Sequence, residues 1–213
     1  MSSLPEIALL PADSLSGQPW AAALHAMIIK AFKRKDIQAF PPSWTRLHQD
    51  PVIGIERLSE ELGPDGHLAV LLIDGQPVGC GGILPFRGND WINMEKSADA
   101  APGEAIVQEK SLDHLRPSSV DEFEICCFCI HPGYRKQGLS KVLLDAISDA
   151  ARDSGGERLV ANHSVEETEE YWPRLGFERV AGATSILKKG FTHTIGMEGL
   201  RDDIHFQIAT VPL

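Results

Sequence analysis

Apolar and polar residues alternate along some stretches of this chain and recur at helical spacing along others, so its elements can be read in order. Ile7 to Leu10 predicts a short first strand, ended by Pro11 and Asp13. Trp20 to Lys35 is helical in pattern. Ala, Leu, Met and Ile share one face, and Lys30, Lys33, Arg34 and Lys35 crowd the end where the helix dipole favours cations. Pro41-Pro42 breaks that run, and Val52 to Leu62 predicts a second helix closed by Gly63-Pro64. Two strands follow, His67 to Ile73 and Val78 to Leu84, joined by the hairpin signal Asp74-Gly75. Gly79, Gly81 and Gly82 in the second of these predict a bulge, or the close approach of another backbone or a ligand.

From Pro85 to about Val120 the pattern dissolves into polar, Pro- and Gly-containing sequence, with short helical pieces around Trp91 to Lys96 and Glu104 to Asp113. So long a connection inside one domain is uncommon and often functional. A strand and helix then occupy Glu122 to about Ser154. In the strand, Cys126, Phe128 and Ile130 alternate with Ile125, Cys127 and Cys129, which predicts opposite faces for the two sets. Leu139, Val142, Leu143, Ala146, Ile147 and Ala150 follow at helical spacing, with Gly155-Gly156 as the cap. Leu159 to Asn162 predicts another strand. A helix opens at Ser164 or Val165 and runs to Leu175, with Glu166, Glu167, Glu169 and Glu170 in its early turns. Gly176 ends it, Phe177 starts a strand, and His205 to Val211 alternates as the last one, leaving residues 187–204 as a second long connection. Strands around two central helices imply an α+β fold with a mixed, largely antiparallel central sheet flanked by helices.

At 213 residues the chain fits one domain over 1–213. Its net charge of −10 argues against a nucleic-acid partner, which needs a basic face, and favours a cationic acceptor through long-range steering. Apolar runs are too short to span a bilayer and the start lacks a basic-then-apolar signal pattern, so the expectation is a cytoplasmic protein without a membrane partner. Three of the four cysteines lie in one strand, at 126, 127 and 129. That spacing builds neither a disulfide framework nor a zinc site, and predicts reduced, packing cysteines and no metal.

The stretch from Glu124 to Ser140 carries the chemistry: a buried strand, a Pro132-Gly133 turn, a basic loop with Gly138, and the start of a helix. The first N–H groups of a helix have no internal partner, and the dipole favours an anion there. Gly138 removes a Cβ where a phosphate oxygen would approach backbone, and Arg135, Lys136 and Lys141 add positive charge. The segment reads as a pyrophosphate clamp, although it has neither GxxxxGK[ST] nor the three glycines of a dinucleotide fingerprint.

Ile130, Pro132 and Arg135-Lys136-Gln137-Gly138-Leu139-Ser140 resemble the central motif of the GNAT superfamily of acyl-CoA-dependent N-acyltransferases, with Ser140 in place of the usual last Gly/Ala. Tyr171-Trp172-Pro173-Arg174-Leu175-Gly176-Phe177 resembles the family's aromatic segment ending in Leu-Gly-Phe, and Glu124 stands where the histone-acetylating branch has its general base. The resemblance implies a GNAT fold with insertions at about 85–120 and 187–204. It also implies transfer of an acetyl group from acetyl-CoA to an amine by direct attack in a ternary complex. A small-molecule amine is the first choice, and a monomer or homodimer is expected. A protein lysine or N-terminal acetyltransferase, and a non-catalytic acyl-CoA-binding domain, stand as alternatives.

By the same resemblance, the main chain of Phe128, Cys129 and Ile130 holds the pantetheine, and Arg135, Lys136, Gln137, Gly138, Leu139 and Ser140 hold the pyrophosphate. Glu124 is the general base, with Glu122 in reserve. Many relatives place a tyrosine acid where this chain has Trp172. Tyr171, one residue earlier, would face about 100° away on a regular helix, unless Pro173 distorts it. Either Tyr171 protonates the thiolate or the proton comes from the attacking ammonium or solvent. His163 as base and Cys127 as acyl carrier are lesser options. Trp44, Trp91 and Arg87 sit on loops of the kind that line acceptor pockets or anchor cores.

Overall fold

The computed structural model describes residues 4–33, 38–88, 121–168, 170–191 and 198–213. Alternation builds the sheet. In β2 (His67–Ile73) Leu68, Val70 and Leu72 point to one side, and Ala69 and Leu71 to the other. Asp74 and Gly75 both take left-handed φ (51° and 71°), the conformation of a two-residue hairpin, and turn β2 straight into β3 (Gln76–Pro85). With β1 (Glu6–Pro11), β4 (Glu122–Ile130), β5 (Arg158–Ser164), β6 (Glu178–Leu187) and β7 (Ile204–Pro212), the order is β1-β2-β3-β4-β5-β7-β6. Every adjacent pair is antiparallel except β4 and β5.

The parallel pair needs a crossover, supplied by α3 (Leu139–Asp153). Its apolar stripe, including Leu143, Ile147 and Ala151, packs on one face of the sheet with Phe123, Ile125, Leu159 and Ala161. The other face carries α1 (Ala21–Ala31) and α2 (Pro51–Leu62), whose Leu24, Ile28, Leu58 and Leu62 cover Leu68, Val70 and Leu84. Asp50 starts α2 by accepting hydrogen bonds from the Val52 and Ile53 N–H groups, with Pro51 at the first helical position.

Two expectations need correction. In β4, Cys127 has φ 49°, and Cys80 and Gly82 of β3 pair with Cys129 and Cys126, so Gly81 faces two residues. This bulge resets the alternation. Ile125, Phe128 and Ile130 therefore belong to the α3 side, and Cys126, Cys127 and Cys129 all join the α1/α2 side. Close packing at the glycines fits it, since a Cβ on Gly81 would meet Ile147 Cδ1 at 2.5 Å and Phe128 Cδ2 at 2.8 Å.

The helix expected from 164 or 165 to 175 is instead two short pieces, α4 (Val165–Thr168) and α5 (Tyr171–Arg174). Proline is tolerated in a first turn but clashes with the carbonyl four residues back in a helix interior, and the break leaves Pro173 in a first turn. The first helix ends at Ala31; Arg34 and Lys35 lie outside the described residues, as do the short helices around 91–96 and 104–113.

Candidate active site

The sheet forks at its one parallel seam. β4 and β5 pair only from Glu122 with Arg158 to Ile125 with Ala161. Beyond that, β4 continues against β3 alone and β5 against β7 alone. The main chain of Cys126 to Ile130, which includes the expected pantetheine residues Phe128, Cys129 and Ile130, thus has an edge towards β5 that no described strand pairs with.

The fork leads to the basic loop. His131 N–H donates to Val78 O (2.8 Å), and Pro132 to Tyr134 form a short 3₁₀ turn. Arg135 reaches across it, Nη2 donating to Ala31 O at the end of α1 (2.9 Å) and Nε to Ile130 O (3.3 Å). Lys136 (φ 64°) and Gly138 (φ 78°) turn the chain into α3 through left-handed conformations. Gly138 is the N-cap, with no side chain to bond the first-turn N–H groups of α3 and only open space where a Cβ would stand. Those N–H groups therefore face a cleft of about 250 Å³ whose walls include Ile130, Arg135, Lys136, Gly138, Leu139 and Ser140. Gln137 is not part of the wall. Partial burial, together with the charges of Lys30 and Arg135, draws the His131 imidazole below its ordinary value, which registers the positive field at this mouth. Lys141 is turned away, to Asp145 (3.0 Å).

The broken helix decides where the aromatics go. Trp172 is buried on the α3 side, its ring beside those of Phe128, His163 and Phe177. Tyr171 does reach the cleft: its wall includes Tyr171, whose Oη donates to Ser140 Oγ in the first turn of α3 (2.9 Å). Burial pushes its phenol above the ordinary value, against the pull of that hydrogen bond. The hydroxyl stands at the end of the cleft formed by the first turn of α3.

Glu124 lies on the opposite face, 3% exposed. Its oxygens accept from Arg87 Nε (3.1 Å) and Nη2 (2.9 Å), a two-pronged pair buried on both sides. Burial opposes the charge on Arg87, and the Glu124 carboxylate outweighs it, so the guanidinium is held above its usual value. A partly buried pair, Arg46 with Glu61, in which Nη2 donates to both carboxylate oxygens (2.7 and 2.8 Å), lies close to the Cys126 thiol, which burial and the Glu61 charge push up. Glu122, the reserve, pairs with Arg158 (2.8 Å) near the surface. His163 is buried against Trp172. Cys127 is buried at the bulge. Trp44 packs with Phe40 and Phe191, and Trp91 lies outside the described residues. The Arg87–Glu124 partnership was beyond sequence reasoning, because 37 residues separate the pair. Among the described residues, no cluster of three or more His, Cys, Asp or Glu is placed to hold a metal ion, and no helix is long and apolar enough to cross a membrane.

Residues 29–177 match the family model described as the acetyltransferase (GNAT) family, which covers well over half of the chain. The chain belongs to the acetyltransferase (GNAT) family. It is therefore an acetyltransferase, and the fork between β4 and β5 and the glycine-capped α3 lie within the matched residues. The fold is shared with a GNAT-family protein from Desulfovibrio desulfuricans at TM-score 0.57, with 14% identity over 98% of this chain and 99% of that one. An N-acetyltransferase from Staphylococcus aureus Mu50 gives 0.55, with 14% identity over 99% of each chain. The yncA protein of Salmonella typhimurium, whose structure holds acetyl-CoA, gives 0.54, with 16% identity over 99% of this chain and 95% of that one. No curated protein matches the chain in sequence.

Proposed function

We propose that this GNAT protein moves an acetyl group from acetyl-CoA to the amine of a small molecule, by direct attack in a ternary complex. The observation that carries the reading is the fork in the sheet opening beside the glycine-capped start of α3. The N–H groups of that first turn, with Arg135 and Lys136, suit a pyrophosphate. The free edge from Cys126 to Ile130 suits an extended pantetheine arm, added as a strand would be. Since the loop follows Ile130, the arm runs back along β4 and its thioester lies towards Cys126, at the apex of the fork.

An alkylammonium must lose a proton before its nitrogen can attack. Glu124 is the base in this reading. Arg87 fixes its orientation and leaves one lone pair on each oxygen for the incoming proton. As the C–N bond forms, the C–S bond breaks, and the sulfur leaves as a protonated thiol. Burial of the Glu124–Arg87 pair supports an enclosed acceptor pocket, which suits a small amine better than a protein chain.

The test is acetyl-CoA turnover with a panel of polyamines, amino acids, arylalkylamines and lysine peptides, with acetylated products read by mass spectrometry. Products from the small amines alone support the reading, and products from the peptides alone move the acceptor to protein. Glu124→Gln keeps an acceptor for Arg87 and should lower kcat by about 100-fold or more, with the Kd for acetyl-CoA unchanged. Unchanged turnover in that variant would remove Glu124 as the base.

A further inference from the structure

One buried polar side chain near the fork has no hydrogen-bond partner among the described residues. Asn162 follows Ala161, the last β5 residue paired with β4, and is thus the first β5 residue inside the fork. Its backbone stays in the ladder, opposite Ile208 of β7. Both polar atoms of its carboxamide are buried, and neither has a hydrogen-bond partner among the described residues. Its direction follows from its neighbours. Val160, two residues back, and Ile208, directly opposite, pack together with Phe86, while Ala161 belongs to the core under α3. Alternation along the strand puts Asn162 on the Val160 side, away from α3. Glu124 is in register with Val160, and its β3 partner Leu84 packs on the α1/α2 side. Asn162 therefore shares a face with Glu124, one strand across and one step further into the fork.

A buried amide without partners is costly to a fold, and native proteins rarely carry one without a reason. The reason has to lie where the side chain points, which is the apex at which thioester and acceptor meet. We propose that Asn162 is a catalytic residue of the acyl transfer, its carboxamide holding the acceptor nitrogen and the thioester oxygen together. This rests on the acyl-transfer reading above. When the nitrogen attacks the thioester carbon, the carbonyl oxygen gains negative charge and the nitrogen gains positive charge. The nitrogen then gives up a proton, the C–S bond breaks, and the thiolate takes up a proton, leaving an amide and a thiol. During attack, the charged oxygen and nitrogen are attached to one carbon, as are the oxygen and nitrogen of a carboxamide. Asn162 matches them atom for atom: Nδ2 donates to the oxygen and Oδ1 accepts from the N–H. A fixed donor aimed at developing negative charge in a site shielded from water is among the strongest contributions a side chain makes to rate.

The test uses the full chain and whichever amine of the same panel the wild-type protein turns over fastest. Asn162→Ala should lower kcat/KM for that amine on the order of 100-fold. Its Kd for acetyl-CoA should stay within about twofold of wild type. Its thermal midpoint should hold or rise, because an unsatisfied group has been removed. Asn162→Asp keeps an acceptor but loses the donor, and should be as impaired as the alanine variant. Full turnover in Asn162→Ala overturns the inference. So does a loss of turnover that comes with a matching loss of acetyl-CoA binding or a lowered midpoint, the mark of a purely structural residue. A wild-type protein that acetylates nothing in the panel overturns the acyl-transfer reading itself, and this inference with it.

Discussion

Tyr171 shows how much a single side chain's address matters. Its hydroxyl is bonded to Ser140, in the first turn of α3, so in the proposed reading it would meet the phosphate end of a bound coenzyme. In that reading the sulfur lies towards Cys126, four residues back along β4 and roughly 13 Å from Ile130 at strand rise. On the same reading, a tyrosine so placed would bind the coenzyme and leave the thiolate's proton to come from the attacking nitrogen. Tyr171→Phe should accordingly raise the KM for acetyl-CoA several-fold, on the order of one lost hydrogen bond, with kcat little changed. Steady-state kinetics with acetyl-CoA as the varied substrate separates the two, and a fall in kcat at unchanged KM would restore the tyrosine as proton donor. The sequence put Tyr171 near this site but not at it, since its direction depends on where the helix breaks. Glu124 was legible as a strand carboxylate in a motif, whereas Arg87 was not legible as its partner. Asn162 reads in the sequence as an ordinary strand-end residue. Only the fork leaves its carboxamide without a partner.

Among the elements, those governed by local rules were plain in the sequence. β2 is found at His67–Ile73, as its alternation and the following Asp74-Gly75 turn predict. The start of α3 follows the glycine and apolar stripe closely. Elements shaped by packing were not. The bulge between β3 and β4 is where the glycines of β3 predict one, but its place in β4, at Cys127, depends on packing against Gly81 and the Ile147 side chain. The same division predicts which substitutions act locally. Asp50 caps α2 through its side chain alone, far along the helix from Glu61, so Asp50→Ala should cost about 1 kcal/mol of stability in urea unfolding while turnover holds. A larger loss, or one that reaches activity, would mean that α2 is positioned by its cap and not by Leu58 and Leu62 in the core.

At the scale of the molecule, two carboxylates tie the last strand to the rest, and both respond to acid. Glu166 of α4 accepts from the His205 backbone N–H (3.0 Å) and meets the His205 ring (2.6 Å) at the start of β7. Burial would raise its pKa, but the His205 donors and Ser164 outweigh it and hold the group below its ordinary 4.5. Asp203 is drawn down by the Lys189 N–H and the Lys188 ammonium, which fastens the end of β6 to the start of β7. A carboxylate with a lowered folded-state pKa contributes stability that is complete above its unfolded value and disappears as pH falls through the folded one. Urea midpoints should therefore fall as pH drops below about 4.5, and Glu166→Gln should flatten that acid limb while leaving neutral-pH turnover intact. An unchanged acid limb would show that the tie adds nothing to stability.

The fork also has a mechanical meaning. Among the described residues, four residue pairs between β4 and β5 are the only ladder joining the plate of β1 to β4 to the plate of β5 to β7. A sheet cut part of the way along one line is compliant there, however stiff each plate is. An extended arm laid against the open edge of β4 acts as a splint along the cut. In the proposed reading, the coenzyme that supplies the acyl group would thus also stiffen the molecule that uses it. Once the thiol had left, that splint would be withdrawn along the length of the slit, without either plate having to unfold.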